Sequence, residues 1–248
     1  APHGALRLEA AGFENRLLTE GEMDRAMGLL EDCMAAGARG LSTGLSYFPG
    51  AFCDTRELVR LCRRVRRAGG VYVTHLRTVF SQKPFDAVEE ALDIARQSGV
   101  RLHFSHYRTG GATIGHPQRI MEKIDRAMAR EGLDISLELY PYPYGASYAP
   151  MFVPPWANDG GMQAILRRLS DPAERRRIAQ SIDAEFAGFD GMVAYAAHSP
   201  GWEGQTFSSI AALQGGTKGE AIAGMLLAQK LVLGFHDVEP NLSKEQAA

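Results

Sequence analysis

The sequence has few cysteines, no long apolar run and almost no excess of charge of either sign. Three cysteines (Cys33, Cys53 and Cys62) are too few, and odd in number, for a disulfide framework, so we expect a reducing, cytoplasmic setting. No apolar stretch approaches the ~20 residues that span a bilayer, and the start Ala1-Pro2-His3-Gly4 lacks the features of a signal peptide. With 27 Lys and Arg against 29 Asp and Glu, the net charge of −2 gives no electrostatic reason to expect a nucleic-acid partner.

What the sequence does contain is a repeated alternation of helix and strand signals before Tyr140. Thr19 and Glu22 form a predicted capping box that starts an amphipathic helix, and Gly37 ends it. Similar helix starts and glycine stops recur along the chain, each followed by a short apolar run. The predicted strands that follow these stops cover residues 39–43, 71–75, 100–106 and 133–140.

This alternation predicts an α/β protein with a parallel sheet, because a helix between successive strands returns the chain to the same edge. The alternation stops at Pro141-Tyr142-Pro143-Tyr144-Gly145, because a proline has no backbone N–H to donate a hydrogen bond to a neighbouring strand. We therefore divide the chain into residues 1–140, the central βα repeats, and residues 141–248. The second part is predicted to hold a proline-rich loop, an inserted helical region and the start of a return to the repeats.

Polar side chains stand at the predicted carboxyl ends of three consecutive strands. His75 ends one strand, His106 ends the next and Tyr140 ends the third. Alternation along a strand puts His106 on the same face as Leu102 and Phe104. In a βα barrel the carboxyl ends of the strands form the active face, and two imidazoles there can reach one ion, since Zn–N bonds measure about 2.0–2.1 Å. The sequence therefore predicts a zinc site at these strand ends.

A packing role is the alternative for each of these polar residues. A single histidine at a strand end more often packs or hydrogen-bonds, and zinc needs three or four ligands where the sequence offers two. Glu138, two residues before Tyr140, is expected to be a paired buried carboxylate, with an acceptor for a ligand histidine as the alternative. His103 alternates to the face opposite His106 and is expected to pack towards a helix.

Short motifs around these residues stand in a fixed order along the chain. They are Gly4-Ala5-Leu6-Arg7, Gly12-Phe13-Glu14-Asn15-Arg16, Gly40-Leu41-Ser42-Thr43-Gly44-Leu45-Ser46-Tyr47, Thr74-His75-Leu76-Arg77, Ser105-His106-Tyr107-Arg108, Tyr140-Pro141-Tyr142 and Val153-Pro154-Pro155-Trp156. In this order they resemble the motifs of N-acyl-D-amino-acid deacylases, a family of metal-dependent hydrolases in the amidohydrolase superfamily.

The resemblance implies a fold, a reaction and a cofactor. The fold is the (β/α)8 TIM barrel of the metal-dependent hydrolases, present here as an incomplete barrel. The reaction is zinc-dependent hydrolysis of the amide bond of N-acyl-D-amino acids, which gives a carboxylate and a free amino acid. One or two zinc ions are implied, with His75 and His106 matching ligands at the ends of the fifth and sixth barrel strands. The expected partner is a small-molecule N-acyl amino acid, with no nucleic acid and no membrane.

The resemblance also implies roles in substrate binding. Tyr47 matches a tyrosine at the substrate site, and Tyr140 matches the tyrosine of the family's Tyr-Pro-Tyr; either is expected to donate a hydrogen bond to the developing oxyanion or to the substrate carboxylate. Ser147 matches a serine that contacts the substrate. Arg108 stands where the family usually has a lysine for the acidic end of the substrate, and Tyr107 replaces a second histidine.

Several residues of the family pattern have no counterpart in this sequence. The His-x-His pair of the first strand, a metal-binding Cys of the second and the general acid/base Asp after the eighth are absent. We therefore expect an internal portion of a deacylase, beginning after the third strand and stopping before the last, and the absent residues favour an inactive isolated chain. Two alternatives stay open: a related amidohydrolase such as a dihydroorotase-like cyclic amidase, and a non-catalytic barrel fragment that associates with itself through open sheet edges.

Overall fold

A computed structural model of the chain describes residues 1–78, 84–107, 117–140, 142, 144–198 and 200–238. The chain divides into two compact units, Ala1–Pro141 and Tyr142–Ala248. Each unit has a buried cluster of apolar side chains of its own. Across these described ranges, no helix combines the length and the apolar character that crossing a membrane requires.

The first unit contains five described helices, two of which begin at side-chain caps that the sequence predicts. They are α1 (His3–Ala11), α2 (Glu20–Ala35), α3 (Thr55–Arg67), α4 (Pro84–Ser98) and α5 (Pro117–Glu131). Thr19 Oγ1 accepts a hydrogen bond from Glu22 N, and the Glu22 carboxylate accepts one from Thr19 N, which completes the capping box of α2. Asp54 Oδ1 accepts from Glu57 N at 2.8 Å and so caps α3.

Four parallel strands form the sheet of the first unit, as the alternation of signals predicts. They are β1 (Gly40–Gly44), β2 (Val71–His75), β3 (Arg101–Phe104) and β4 (Ile135–Leu137). They neighbour one another in chain order, and α3, α4 and α5 connect them. The α/β prediction is confirmed, but the last two strands are shorter than predicted, because β3 ends at Phe104 and β4 at Leu137.

The two faces of this sheet differ in burial. Tyr72, Leu102 and Phe104 are at most 1% exposed and pack into the core that the helices cover. The opposite face carries His103, which is paired in register with Val73 and lies with Nδ1 2.8 Å from Ser136 Oγ. The prediction that His103 packs towards a helix is therefore wrong. The prediction takes His106 as the reference for the two faces of the strand, but His106 lies beyond the end of β3.

The second unit combines helices with a small antiparallel sheet. Its helices are α6 (Pro155–Asn158), α7 (Gly161–Ser170), α8 (Pro172–Glu185), α9 (Phe207–Gln214) and α10 (Lys218–Ala228). Its strands are β5 (Ala146–Tyr148), β6 (Gly191–Ala196) and β7 (Leu233–Asp237). The spatial order is β5-β7-β6, with both pairs antiparallel.

Phe152 lies at the centre of the second core. Its ring centroid is 4.7–5.7 Å from those of four other phenylalanines, namely Phe186, Phe189, Phe207 and Phe235. The sequence predicts a loop and a helical insertion in this part, and the structure adds a strand, β5, in the predicted loop. This strand lies between Pro143 and Pro150, in a short stretch without proline where backbone donors are available for pairing with β7.

Candidate metal centre and substrate site

The imidazoles of His75 and His106 lie side by side at the carboxyl ends of neighbouring strands. His75 is the last residue of β2, and His106 follows the end of β3 by two residues. Nδ1 of His75 is 3.0 Å from Nε2 of His106, and the ring centroids are 4.8 Å apart. Both residues are half-buried. The structure thus brings the two predicted ligands together, and their role as ligands stays a prediction.

A left-handed backbone at His106 is what turns its ring towards His75. In a continued strand, His106 would share the face of Phe104, which points into the helix-covered core. Instead the strand ends, Ser105 N donates to Thr74 O at 3.1 Å, and His106 adopts a φ of 35°. A left-handed backbone costs a residue other than glycine about 1–2 kcal/mol, and such conformations cluster at functional sites. The predicted common face of His106 and Phe104 is therefore wrong, although the two imidazoles do meet.

The nitrogen pair fits the chemistry and the spacing of a zinc site. Two ligand atoms about 2.0–2.1 Å from one tetrahedral ion lie ~3.3 Å apart. The 3.0 Å between Nδ1 of His75 and Nε2 of His106 is close to that value, and imidazole is a common zinc ligand. Among the residues that the structure describes, no third His, Cys, Asp or Glu joins these two in a compact group. The pair therefore fits zinc as two of the three or four ligands that the ion needs.

Tyr47 lies beside His75 because the loop after β1 is hydrogen-bonded to the end of β2. Leu45 N donates to His75 O at 3.1 Å. The Tyr47 ring centroid is 5.1 Å from that of His75, and the residue is 37% exposed. A Cβ on Gly44 would lie 2.8 Å from Cδ2 of Tyr47, so glycine is needed there for the ring to reach His75. The structure therefore places an accessible phenol at the candidate metal centre.

Tyr140 is the tyrosine beside His106. The Tyr140 ring centroid is 6.5 Å from that of His106, so the four rings of the site follow in the order Tyr47, His75, His106, Tyr140. Tyr107 packs edge-on against Phe104 instead. Burial raises the pKa of the Tyr107 phenol to about 12, so it stays neutral at ordinary pH.

Glu138 does not behave as the sequence predicts. Its side chain is 62% exposed, and Oε2 lies 3.8 Å from Nε2 of His103, which is not a predicted ligand. The expectation of a paired buried carboxylate is wrong, because β4 ends at Leu137 and the chain is already leaving the sheet. The Glu138 backbone still serves the site, since its carbonyl accepts from Tyr107 N at 2.6 Å.

Two predicted site residues remain, Arg108 and Ser147. Arg108 lies outside the described residues. Ser147 is the middle residue of β5 in the second unit, where it is in register with Phe235 of β7. The substrate-binding roles of Arg108 and Ser147 stay predictions.

A buried ionic cluster near the N-terminus escapes sequence reasoning. Glu57 accepts from His3 Nε2 at 2.7 Å and from Arg7 Nη1, and all three side chains are at most 5% exposed. The side chains of His3, Cys53 and Glu57 also lie close enough together to be considered as a possible set of metal ligands. Burial raises the pKa of the Cys53 thiol to about 12, which opposes thiolate ligation, and Glu57 is already paired with Arg7. We therefore assign the cluster to the packing of α1 against α3.

Arg77 is a residue that the structure, and not the sequence, connects to the site. It follows His75 by two residues and hydrogen-bonds the carbonyls of Ala51 and Cys53, in the loop that carries Tyr47. The motif Thr74-His75-Leu76-Arg77 contains it, but the spacing alone assigns it no partner.

Comparison with known proteins gives this geometry a context. No family model matches the chain. The D-aminoacylase of Alcaligenes xylosoxydans xylosoxydans is 35% identical over 146 residues, which are 58% of this chain and 30% of that protein. The N-acyl-D-aspartate deacylase of the same organism is 35% identical over 143 residues, 57% of this chain and 28% of that protein. Over these residues the chain is similar to N-acyl-D-amino-acid deacylases. It matches less than a third of the length of these relatives, which fits an internal portion of such a protein.

Solved structures of N-acyl-D-amino-acid deacylases share the fold along nearly the whole chain. One is the N-acyl-D-glutamate deacylase from Bordetella bronchiseptica, solved with zinc and a phosphonate mimic of the tetrahedral intermediate. It superposes with a TM-score of 0.74 and 25% identity, over 99% of this chain and 44% of that one. A D-aminoacylase, described as defining a novel subset of amidohydrolases, gives a TM-score of 0.73 at 24% identity, over 99% of this chain and 43% of that one. The prediction of an incomplete barrel of the amidohydrolase type is confirmed.

Proposed function

We propose that this chain supplies part of the active site of a zinc-dependent N-acyl-D-amino-acid deacylase, a hydrolase of carbon–nitrogen bonds other than peptide bonds. The observation that carries the proposal is the 3.0 Å separation of Nδ1 of His75 and Nε2 of His106 at two neighbouring strand ends. The names of the curated relatives and the zinc in a solved relative support the substrate class and the metal. The products are a carboxylate and a free D-amino acid.

The histidines hold the metal in this proposal. Zinc, when bound, supplies Lewis-acid chemistry, because it lowers the pKa of a water and polarises the amide carbonyl. His75 would bind the ion through Nδ1 and His106 through Nε2, the two atoms that lie 3.0 Å apart. The left-handed turn at His106 fixes the direction of its ring, so the pair is arranged before an ion arrives.

The polar side chains around the pair would bind the substrate. Tyr47 stands beside His75 and Tyr140 stands beside His106, and in the proposal either donates a hydrogen bond to the developing oxyanion or to the substrate carboxylate. Loss of one oxyanion donor typically raises the barrier by ~2.7–4 kcal/mol. In the proposal, Arg108 pairs with the acidic end of the substrate and Ser147 contacts it. An arginine fork there would favour planar carboxylates more strongly than the lysine usual in the family.

Metal content tests the assignment of the ligands. The purified chain is expected to bind zinc, and His75→Ala and His106→Ala should each weaken binding by at least about tenfold. His103→Ala is the matched control, because His103 lies on the same sheet but bonds to Ser136 instead. Stoichiometric zinc that survives the double substitution of His75 and His106 would exclude both from the site.

Hydrolysis assays test the reaction. The zinc-loaded protein, expressed together with any coding sequence that flanks this chain, is incubated with N-acetyl-D-aspartate, N-acetyl-D-glutamate and N-acetyl-D-leucine. Their L enantiomers are the controls, and dihydroorotate is the cyclic amide. Release of free D-amino acid in excess of the L form supports the deacylase. Turnover of dihydroorotate alone would favour a cyclic amidase, and no turnover by a zinc-loaded chain would favour a non-catalytic barrel fragment.

The proposal also includes a cytoplasmic location, with a small-molecule N-acyl amino acid as the substrate and possible contacts between copies of the chain. Cys33, Cys53 and Cys62 are all free thiols, which suits a reducing compartment. Ala1 and Pro2 bond to the outer edge of β1, so the outer edge of β4 in the described sheet is the place to look for self-association, which sedimentation would detect. Cell fractionation tests the location.

A further inference from the structure

The loop that carries Tyr47 is hydrogen-bonded along its length to the segment that follows His75. We define the Tyr47 loop as residues 45–54, between β1 and α3. Near its start, Ser46 Oγ donates to Leu76 O at 3.1 Å and accepts from Thr78 N at 3.2 Å. These bonds join the first part of the loop to the exit of β2, but they leave its second half, after Tyr47, to be held by another group.

Arg77 holds that second half. Its Nη1 donates to Ala51 O at 2.8 Å, and its Nη2 donates to Cys53 O at 3.1 Å. Ala51 N in turn donates to Tyr47 O at 2.8 Å, so two hydrogen bonds connect the guanidinium to the Tyr47 backbone. The planar fork of arginine can reach both carbonyls at once, which a lysine ammonium on a flexible stem cannot do with the same geometry.

Glu90 of α4 fixes the guanidinium from the other side. Its two carboxylate oxygens accept from Arg77 Nε at 3.1 Å and from Nη2 at 3.2 Å, and Thr55 Oγ1 adds a third bond at 3.0 Å. Arg77 is 23% and Glu90 16% exposed, so the pair is largely shielded from water. A bidentate, shielded pair of this kind is geometrically well defined.

We propose that Arg77 is a positioning residue, which holds the Tyr47 loop against the strand that ends in His75 and so sets the place of the phenol at the metal centre. The inference rests on the proposed deacylase function for its catalytic consequence. Whether Arg77 holds the loop can be measured without an activity assay, because the buried thiol of Cys53 lies near the end of the loop.

Thiol labelling measures whether Arg77 holds the loop. Cys53 is 6% exposed and Cys62 of α3 is 0% exposed, and both are expected to react slowly with N-ethylmaleimide in the wild type. Arg77 Nη2 also lies 3.6 Å from Cys53 Sγ, so a variant that keeps Arg77 is needed beside Arg77→Gln. In both Arg77→Gln and Glu90→Gln, we expect Cys53 to react at least about tenfold faster while Cys62 stays protected, because the loop opens and α3 does not. Peptide mass mapping reads the two thiols separately, and joint exposure would mean global unfolding.

Arg96→Gln is the matched control, since Arg96 also pairs with a glutamate of α4, Glu89, but at the surface. It should leave the labelling of Cys53 unchanged. Where Arg77→Gln does not fold, Arg77→Lys takes its place, because it removes the planar fork but keeps a positive charge beside Glu90.

Kinetics measure the consequence for the reaction. With zinc content unchanged, Arg77→Gln is expected to lower kcat on N-acetyl-D-amino acids by about tenfold to a hundredfold, the range caused by a small misplacement of a reacting group. In the Tyr47→Phe background the same substitution should have a much smaller effect, because Arg77 acts through the Tyr47 phenol. Arg77→Lys should recover part of the loss.

The outcomes separate this inference from the proposed function. Unchanged labelling of Cys53 in Arg77→Gln and Arg77→Lys overturns the inference, whatever the activity. Faster labelling with an inactive wild type supports the anchoring of the loop and counts against the deacylase. Faster labelling with an active wild type and an unaltered kcat in Arg77→Gln overturns the positioning role. Faster labelling, lower kcat and coupling to Tyr47 support it.

Discussion

His106 is a residue with two separable properties, an imidazole at the candidate metal centre and a left-handed backbone. The backbone conformation is what allows a ring that follows β3 to leave the helix-covered face and meet His75 at 3.0 Å. Glycine adopts this conformation without steric cost, whereas a β-branched residue is strongly disfavoured in it. Substitutions at this single position can therefore measure the backbone and the side chain separately.

For metal-free protein, we expect His106→Val to lower the free energy of unfolding by about 1–3 kcal/mol relative to His106→Gly. Urea denaturation measures the difference. His103→Gly and His103→Val form the matched control on the neighbouring extended backbone of β3, where the order should reverse because strands favour valine. Equal stabilities for His106→Gly and His106→Val would contradict the left-handed turn.

Glu57 is the residue on which the buried N-terminal cluster depends. Replacing it with glutamine leaves the Arg7 guanidinium buried without its counter-charge, so Glu57→Gln is expected to lower the free energy of unfolding by about 3–5 kcal/mol. Glu131→Gln is the control, since Glu131 pairs with Arg96 at the surface and should cost at most ~1 kcal/mol. Similar losses for the two variants in urea denaturation would contradict a special role for the buried pair.

At the scale of elements, the start of α2 shows how a capping box and a nearby arginine act on the same carboxylate. The Glu22 carboxylate accepts from Arg16 as well as from Thr19. These hydrogen bonds, the one from Arg16 first, lower the pKa of Glu22 from its usual 4.5 to about 2. A carboxyl with a lowered pKa in the folded state stabilises that state above its unfolded pKa, and this contribution is lost as the pH falls through the folded pKa.

We therefore expect the wild type to be more stable than Glu22→Gln at pH 7, with a difference that persists to about pH 5 and declines towards zero between 4.5 and about 2. Chemical denaturation across this pH range measures the difference. In an Arg16→Met background the same comparison should give a smaller difference, because the main hydrogen-bond donor is gone. A difference that stays constant down to pH 2 would count against the interaction.

At this scale the sequence predicts the elements better than their ends. The capping box of α2, the cap of α3 and the strand order follow from local patterns, because caps and alternation involve residues close in the chain. The early end of β3 and the short β5 do not follow, since hydrogen bonds to other strands decide where pairing stops. Sequence alternation consequently assigns His103 and Glu138 to the wrong surroundings.

For the whole molecule, the fold is a set of four parallel strands of an amidohydrolase barrel together with a separate compact unit. The candidate metal centre joins the ends of β2 and β3 of the first unit, which are distant in sequence. A ligand that binds only when both histidines are in place must stabilise the folded state, since the unfolded chain does not hold the pair.

Zinc at a free concentration about 100 times its Kd should raise the free energy of unfolding by ~2.7 kcal/mol, and chelation by EDTA should remove the increase. Denaturation with and without zinc measures it, with magnesium as the control ion because it prefers oxygen ligands. The double variant His75→Ala/His106→Ala should show no increase. A wild type that gains no stability from saturating zinc would contradict a site formed by the folded chain.

The amino-acid sequence by itself determined the parallel α/β repeats, the helix caps and the candidates His75, His106, Tyr47 and Tyr140, because short-range patterns and motif order carry that information. Tertiary structure alone decided that His106 turns to meet His75, that Arg77 and Glu90 hold the Tyr47 loop, and that Glu57 binds Arg7. Each of these depends on where a strand stops or on partners far apart in the chain. Local preference does not encode such contacts, since they form only when the packed sheet and helices bring the groups together.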